Sequence, residues 1–256
     1  MEKSSAWTIS PGSPTGYAPD AFRAWPSFGV FLGLIGLVLA ILIAAWIGLF
    51  AGVAFGISPK ALQREAVPLG LWVQLGLDLC IALYLVLLLP GLARTTLSGL
   101  GFRAPNVGAI GAAFGGAIAM VLLVNGVGAA IEQLTHTKHE QEAVRLLLSV
   151  HSTTLKWVVA CLAILVAPVA EELTFRVLVF NAVGKRAGFW IGALVSGVLF
   201  GLAHWDKYAF VPLAIGGAIL CGVYARTRNA FMPMLTHGLF NAASVIALFF
   251  APQLAK

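Results

Sequence analysis

Apolar residues run along this chain in long blocks separated by short polar breaks. A helix needs about 20 apolar residues to cross hydrocarbon. Blocks of that size stand at 28–56, 69–93 and 107–131, from 155 to about 180, and at 188–204, 209–226 and 230–250. Backbone groups in lipid must bond within their own segment, so these blocks predict helices. The expected fold is an all-α integral membrane protein, a polytopic bundle of about seven transmembrane helices. The connectors at 181–187, 205–208 and 226–229 are short, which makes the last helices antiparallel neighbours. "RTTLSGLGFRAP" reads as a short amphipathic connector. "EQLTHTKHEQEAVRLLLSVHST" is the one long polar loop, and its second half has the pattern of an amphipathic helix lying on the membrane. Gly111/Gly115 and Gly197/Gly201 have the spacing that lets helices approach closely. No internal repeat is visible, which argues against a repeat-built transporter.

The chain therefore divides into a flexible N-terminal tail (1–27), N-terminal transmembrane helices with the amphipathic loop (28–154), a C-terminal membrane core (155–250) and a short C-terminal tail (251–256). The first 27 residues are too long and too polar for the n-region of a signal peptide.

Composition agrees with a membrane class. Hydrophobic residues make up 60% of the 256 and charged residues 10%, against about 25% charged in soluble domains. The formal net charge of +6 fits loop bases facing anionic lipid and the cytoplasm. No basic run is longer than Lys185-Arg186, so nucleic acid is not an expected partner. Cys80, Cys161 and Cys221 stand singly in apolar segments and make neither a disulfide framework nor a CxxC metal pair. Basic residues divide almost evenly between the two sides, but the short loops bearing Lys185-Arg186 and Arg226/Arg228 favour an N-terminus inside.

Ionisable residues within spans are costly and mark functional candidates. In "APVAEELTFRVLVF", Glu172 and Arg176 are four apart and share a helix face. Glu171 is turned about 100° away, so one carboxylate can be held by the arginine while the other points elsewhere. Pro168 just upstream is placed to kink the helix and free backbone carbonyls. A structural ion pair fixing helix register is the plain alternative. In "FGLAHWDK", Phe200 and His204 are four apart, as are His237 and Asn241 in "HGLFN". Taken singly, the histidine reads as interfacial and the His/Asn pair as a helix–helix hydrogen bond. Together the three devices suggest a polar cavity in the C-terminal half of the bundle. The first three spans offer only Gln74, Asp78 and Asn125.

A carboxylate beside an imidazole can take a proton from water and generate a nucleophile for a carbonyl. His237 and Asn241 can donate to a developing oxyanion. The chemistry indicated is general-base hydrolysis of an amide within the membrane. "HEQEA" at 139–143 fails the HExxH zinc pattern, and no GxSxG elbow occurs. Gly76-Leu77-Asp78 is not a GxGD motif. A zinc ion on Glu171, His204 and His237 is compatible by residue type but disfavoured, and no cofactor is expected.

"EELTFR", "FGLAH" and "HGLFN" match EExxxR, FxxxH and HxxxN in order and with similar separations. Residues 155–250 thus resemble the CPBP family, the CAAX proteases and bacteriocin-processing enzymes also called Abi-type intramembrane glutamic endopeptidases. "SGLGFR" is similar to a leader often found in bacterial members. The resemblance implies that Glu171 activates water with His204 assisting, that Glu172 and Arg176 orient that group, and that His237 and Asn241 form the oxyanion site. It places Phe200 against substrate, implies a metal-independent reaction, and suggests a bacterial inner membrane. The expected substrate is a membrane-embedded or lipidated, CaaX-like peptide. The rival readings are a non-catalytic membrane protein for bacteriocin immunity or partner binding and, less favoured, a small proton-coupled transporter.

One difficulty follows from depth. Counted from Leu155, Glu171 lies about 24 Å along its span, while His204 ends the next one. A kink at Pro168, strong tilts or an early reversal would be needed to bring them together.

Overall fold

The computed structural model describes residues 66–92, 96–137, 150 and 152–250, with four helical positions at 36, 39, 43 and 47. The expected tails, most of the 28–56 span and the 138–149 part of the polar loop lie outside the described residues.

Among the described residues every regular element is helical. Helix α1 covers Ala66–Leu87, the short α2 Leu89–Leu92 and α3 Val107–Thr135. A continuous helical run follows: α4 Thr153–Cys161, a wide π-helical turn π1 at Leu162–Val166, α5 Ala167–Glu172, a second π segment π2 at Leu173–Phe180, and α6 Asn181–Ala203. Helices α7 (Phe210–Thr227) and α8 (Phe231–Phe250) complete it. Among the described residues five stretches are long and apolar enough to cross a membrane, one of them the 51-residue run Thr153–Ala203.

That long run is two spans. The expected loop at 181–187 is instead helix, and the reversal is made by Gly188 alone, at φ 84° and ψ 174°. Beyond it the chain doubles back. The Ser196 hydroxyl donates to the Phe175 carbonyl at 2.7 Å, the Phe180 and Phe189 rings meet edge-on at 5.8 Å, and a Cβ built on Gly192 would lie 2.9 Å from the Gly184 Cα. The hairpin resolves the depth difficulty. Glu171 lies seventeen residues before Gly188 and His204 sixteen after it. Both therefore sit about 25 Å from the tip, at 1.5 Å per residue, on facing arms.

The packing is that of a lipid-facing bundle. Leu83, Leu122, Trp190, Leu194 and Ile246 are exposed, whereas Asp78, Glu172, Arg176, Asn181, Ser196, Thr236 and His237 are buried. The second arm of the hairpin packs backbone to backbone on α7: Cβ atoms on Gly197 and Gly201 would meet the Ala214 and Phe210 carbonyl oxygens at 2.5 and 2.6 Å. Gly111 and Gly115 have open space beside them. Gly116 is the close contact on α3, against Val223 and Thr236.

The hairpin tip shares one end of the bundle with the 96–106 turn and the α7–α8 turn. Asn181 donates to the Tyr224 hydroxyl at 3.0 Å, which donates to the Leu100 carbonyl at 3.0 Å. The Asn229 amide donates to the Arg103 carbonyl at 2.8 Å. Arg103, Lys185, Arg186, Arg226 and Arg228 thus gather at this end.

Gly188 occupies a backbone region essentially closed to other residues, where a side chain costs about 1–3 kcal/mol. Gly188→Ala should lower the melting temperature of the detergent-solubilised protein by several degrees. An unchanged melting temperature would show that the reversal does not depend on glycine.

Candidate active site

The site is built where α5 and the start of π2 face α8, with α6 behind. Glu172 and Arg176 are completely buried, and the Arg176 Nε lies 2.9 Å from the Glu172 Oε2. Its N–H is turned off that line, so the contact is an ion pair more than a directed hydrogen bond. The guanidinium also donates from Nη2 to the Gly217 carbonyl at 3.3 Å and lies 4.5 Å from the Phe200 ring centroid. Arg176 therefore ties π2 to both α6 and α7.

The second oxygen of Glu172, Oε1, accepts from His237 Nδ1 at 3.0 Å. The other ring nitrogen of His237 stands 3.9 Å from the Glu171 Oε2, a gap that suits a bridging water or a shift of either side chain. Glu171 differs from its neighbour in access. Its side chain is 26% exposed, against 0% for Glu172, and its buried Oε2 has no hydrogen-bond partner among the described residues. The division between a held and a free glutamate expected from helical spacing is thus present in the geometry.

Phe200 is 1% exposed and walled in on several sides. Its ring packs on Phe175 at 5.3 Å, His204 at 4.8 Å and His237 at 5.6 Å. It acts as the spacer that sets the two imidazoles and the guanidinium around one ring. The His204 Nδ1 is 2.8 Å from the Phe200 carbonyl. A carbonyl only accepts, so Nδ1 carries a proton, and in the neutral ring Nε2 is left as the base. Among the described residues no hydrogen bond or ion pair joins His204 to either glutamate.

Asn241 shows why Pro168 matters. In π1 the hydrogen bonds run one residue longer than in an α-helix, so the Ala167 N–H serves the Leu162 carbonyl. The next bond in that register would need an N–H at position 168, which proline lacks. The Asn241 side chain fills the vacancy, donating to the Ala163 carbonyl at 2.7 Å. Gly238 permits the approach, since a Cβ there would meet the Ile164 carbonyl oxygen at 2.7 Å. Asn181 serves the far end of π2 similarly, with its amide 3.0 and 2.9 Å from the Arg176 and Val177 carbonyls. Asn181 was not singled out from the sequence, where an asparagine at a span end carries no distinctive signal. Gly238 lies inside the quoted HGLFN, but its role depends on the π turn opposite. Among the described residues no three His, Cys, Asp or Glu side chains converge closely enough to hold a metal ion.

An unpaired buried carbonyl costs about 1–3 kcal/mol, so Asn241→Ala should destabilise the protein by that amount. In a Pro168→Ala background the restored N–H can serve the Ala163 carbonyl, and the cost should shrink. Equal costs in both backgrounds, measured by thermal unfolding in detergent, would refute the surrogate-donor role.

Comparison with known proteins places this geometry in context. Residues 153–243 match the Rce1-like model of type II CAAX prenyl endopeptidases. The chain is 32% identical over 82 residues to the putative membrane peptidase YdiL of Bacillus subtilis, covering 32% of this chain and 34% of that protein. It is 34% identical over 99 residues to the membrane-embedded CAAX protease MroQ of Staphylococcus aureus, covering 36% of this chain and 40% of that protein. UPF0177 protein YbdI of Lactococcus lactis aligns at 26% identity over 94 residues, covering 35% of this chain and 49% of that protein. The aligned segments thus span about a third to a half of these relatives. No solved structure matches. The apolar helical stretches and the bacterial membrane relatives make this a multi-pass integral protein of the bacterial plasma membrane. Residues 153–243, which carry Glu171, Glu172, Arg176, His204, His237 and Asn241, are thus similar to the Rce1-like CAAX prenyl endopeptidases.

Proposed function

We propose that the protein is an intramembrane endopeptidase in which Glu171 activates water for attack on a peptide bond. The observation that carries this reading is the asymmetry of the glutamate pair. Glu172 is completely buried between Arg176 and His237, whereas Glu171 is partly exposed with an unpartnered oxygen. Glu171 takes a proton from water as the water oxygen bonds to the scissile carbonyl carbon. The same carboxyl then returns that proton to the leaving amine as the carbon–nitrogen bond breaks. His204 assists through its free Nε2. His237 serves the oxyanion when both its nitrogens carry protons. Asn241 positions α8 through the Ala163 carbonyl and joins the oxyanion only if it releases that bond. Phe200 holds the rings in place and does not itself meet substrate. No metal takes part, and the substrate is a membrane-anchored or lipidated, CaaX-like peptide.

Glu171→Gln and His204→Ala should each abolish cleavage while leaving membrane expression intact, as read by comparing membrane peptides from cells carrying wild type and variants. Full activity in both variants would end the protease reading. Cleavage should survive exhaustive chelation; a loss restored by zinc would overturn the metal-free assignment.

The same reading has a direction. Among the described residues, five basic side chains gather at the hairpin-tip end, against Lys156 and Lys207 at the other. The tip then lies in the cytoplasm, and Glu171 with His204 lies toward the opposite surface. A cysteine placed at Lys185 should resist an impermeant maleimide added to whole cells, whereas one at Lys207 should react; the reverse pattern would invert the assignment.

A further inference from the structure

Among the described residues the hairpin-tip end carries five basic side chains, and they do not stand alike. Three elements bring three of them around one buried hydroxyl, that of Tyr224. Asn181 donates to this hydroxyl at 3.0 Å, and Lys185 lies four residues further on the same helix face. Arg228 caps α7 one turn beyond Tyr224, with its backbone N–H on the Tyr224 carbonyl at 2.8 Å. The hydroxyl itself donates to the Leu100 carbonyl, and the turn that follows is fastened twice more. The Ala230 N–H donates to the Gly101 carbonyl at 2.9 Å, and the Asn229 amide to the Arg103 carbonyl at 2.8 Å. Arg103 is therefore tied to the residue next to Arg228. These bonds hold the backbones of Arg103, Lys185 and Arg228 in one rigid corner.

The other two bases are turned away from it. Arg226 is two residues from Tyr224, about 200° around α7. Arg186 is five residues from Asn181, about 140° around its helix, and its Nη1 donates back to the Ala182 carbonyl at 2.9 Å. Both are exposed, whereas Lys185 and Arg228 are half-buried. Arg103 is exposed but braced, with Nη2 on the Ser98 carbonyl at 2.7 Å, and a guanidinium has further N–H donors to offer a ligand. Acids are missing from this part of the sequence: none occurs at 79–131, 173–205 or 207–256. The same end also presents apolar side chains, with Leu97, Val107, Trp190 and Phe231 all exposed. The corner thus offers clustered positive charge beside an apolar rim.

We propose that Arg103, Lys185 and Arg228 form a headgroup site for one anionic phospholipid, while Arg186 and Arg226 supply only general attraction to an anionic leaflet. Guanidinium forks match phosphate oxygens, and an ammonium adds a point charge that needs no fixed direction. Basic pockets between membrane helices suit such headgroups. The apolar rim selects a lipid over a soluble phosphate: with the headgroup in the corner, acyl chains run down past Val107, Trp190 and Phe231, where a free phosphate gains nothing. The division between three inner and two outer bases goes beyond the count that orients the protein in its membrane, because a simple surplus of charge would treat all five alike. The site is independent of whether Glu171 is the base.

The test uses the purified full-length protein, with native mass spectrometry to count retained lipid. Wild type should keep one phosphatidylglycerol and release phosphatidylcholine. The double variant Arg103→Gln/Arg228→Gln should bind phosphatidylglycerol about 30-fold more weakly, and Lys185→Gln alone about fivefold. Arg186→Gln/Arg226→Gln removes the same charge as the first pair and should keep wild-type affinity. One readout needs no variant and so does not depend on a variant's folding: phosphatidylglycerol should raise the wild-type melting temperature where phosphatidylcholine does not. Equal losses in the two double variants would mean diffuse surface charge and overturn the proposal. An unchanged affinity in Lys185→Gln, or no preference of wild type for phosphatidylglycerol, overturns it as well. Inorganic phosphate that raises the melting temperature as much as the lipid does would make this a site for free phosphate and overturn the lipid assignment.

Discussion

A guanidinium surrounded by hydrocarbon must find its partners inside the protein, and Arg176 finds them on three elements. It meets Glu172 one turn back, the Gly217 carbonyl on α7 and the face of Phe200 on α6. Removing one partner of such a buried pair leaves an uncompensated charge and costs about 3–5 kcal/mol. That penalty makes the pair a strong register device. If π2 slid by one residue against α6 and α7, the arginine would lose its ring and its carbonyl together. The position of the site is thereby set by the same contacts that satisfy the charge. Glu171 is presented beside His237 because its neighbour is held.

The irregular helix is the second constraint. A straight α-helix through residues 153–187 would keep its carbonyls to itself and offer α8 nothing polar to grip. Two π segments and a proline break that economy. They leave the carbonyl at 163 for the Asn241 side chain to satisfy, and the Asn181 side chain adds its amide to the carbonyls at 176 and 177. In lipid such bonds have no water to replace them, so the irregularity recruits the helices that complete the site. Widened helical turns often accompany functional sites, and here the reason is visible in the donor that Pro168 lacks.

Much of the fold was legible in residue order. Seven apolar blocks predict a helical bundle because hydrocarbon thickness sets a length and lipid forbids unpaired backbone. The held and free glutamates were legible too, since four-residue spacing on a helix is local geometry. Other features were hidden. Residues 181–187 carry a lysine and an arginine and read as a loop, yet they form helix up to a single reversing glycine. Phe200 reads as a substrate contact from its motif, but its ring is enclosed by Arg176, His204, His237 and Phe175.

By itself, the sequence determined what depends on composition and near neighbours: a membrane bundle, the spacing of its spans, and the pairing of Glu172 with Arg176 on one helical face. Only the tertiary structure decided which distant groups share a depth. A single glycine at 188 brings Glu171 and His204 level. The carbonyl left open by Pro168 fixes Asn241. Those placements follow from packing between helices, where each contact depends on the exact path of two chains that the order of residues in either one does not contain.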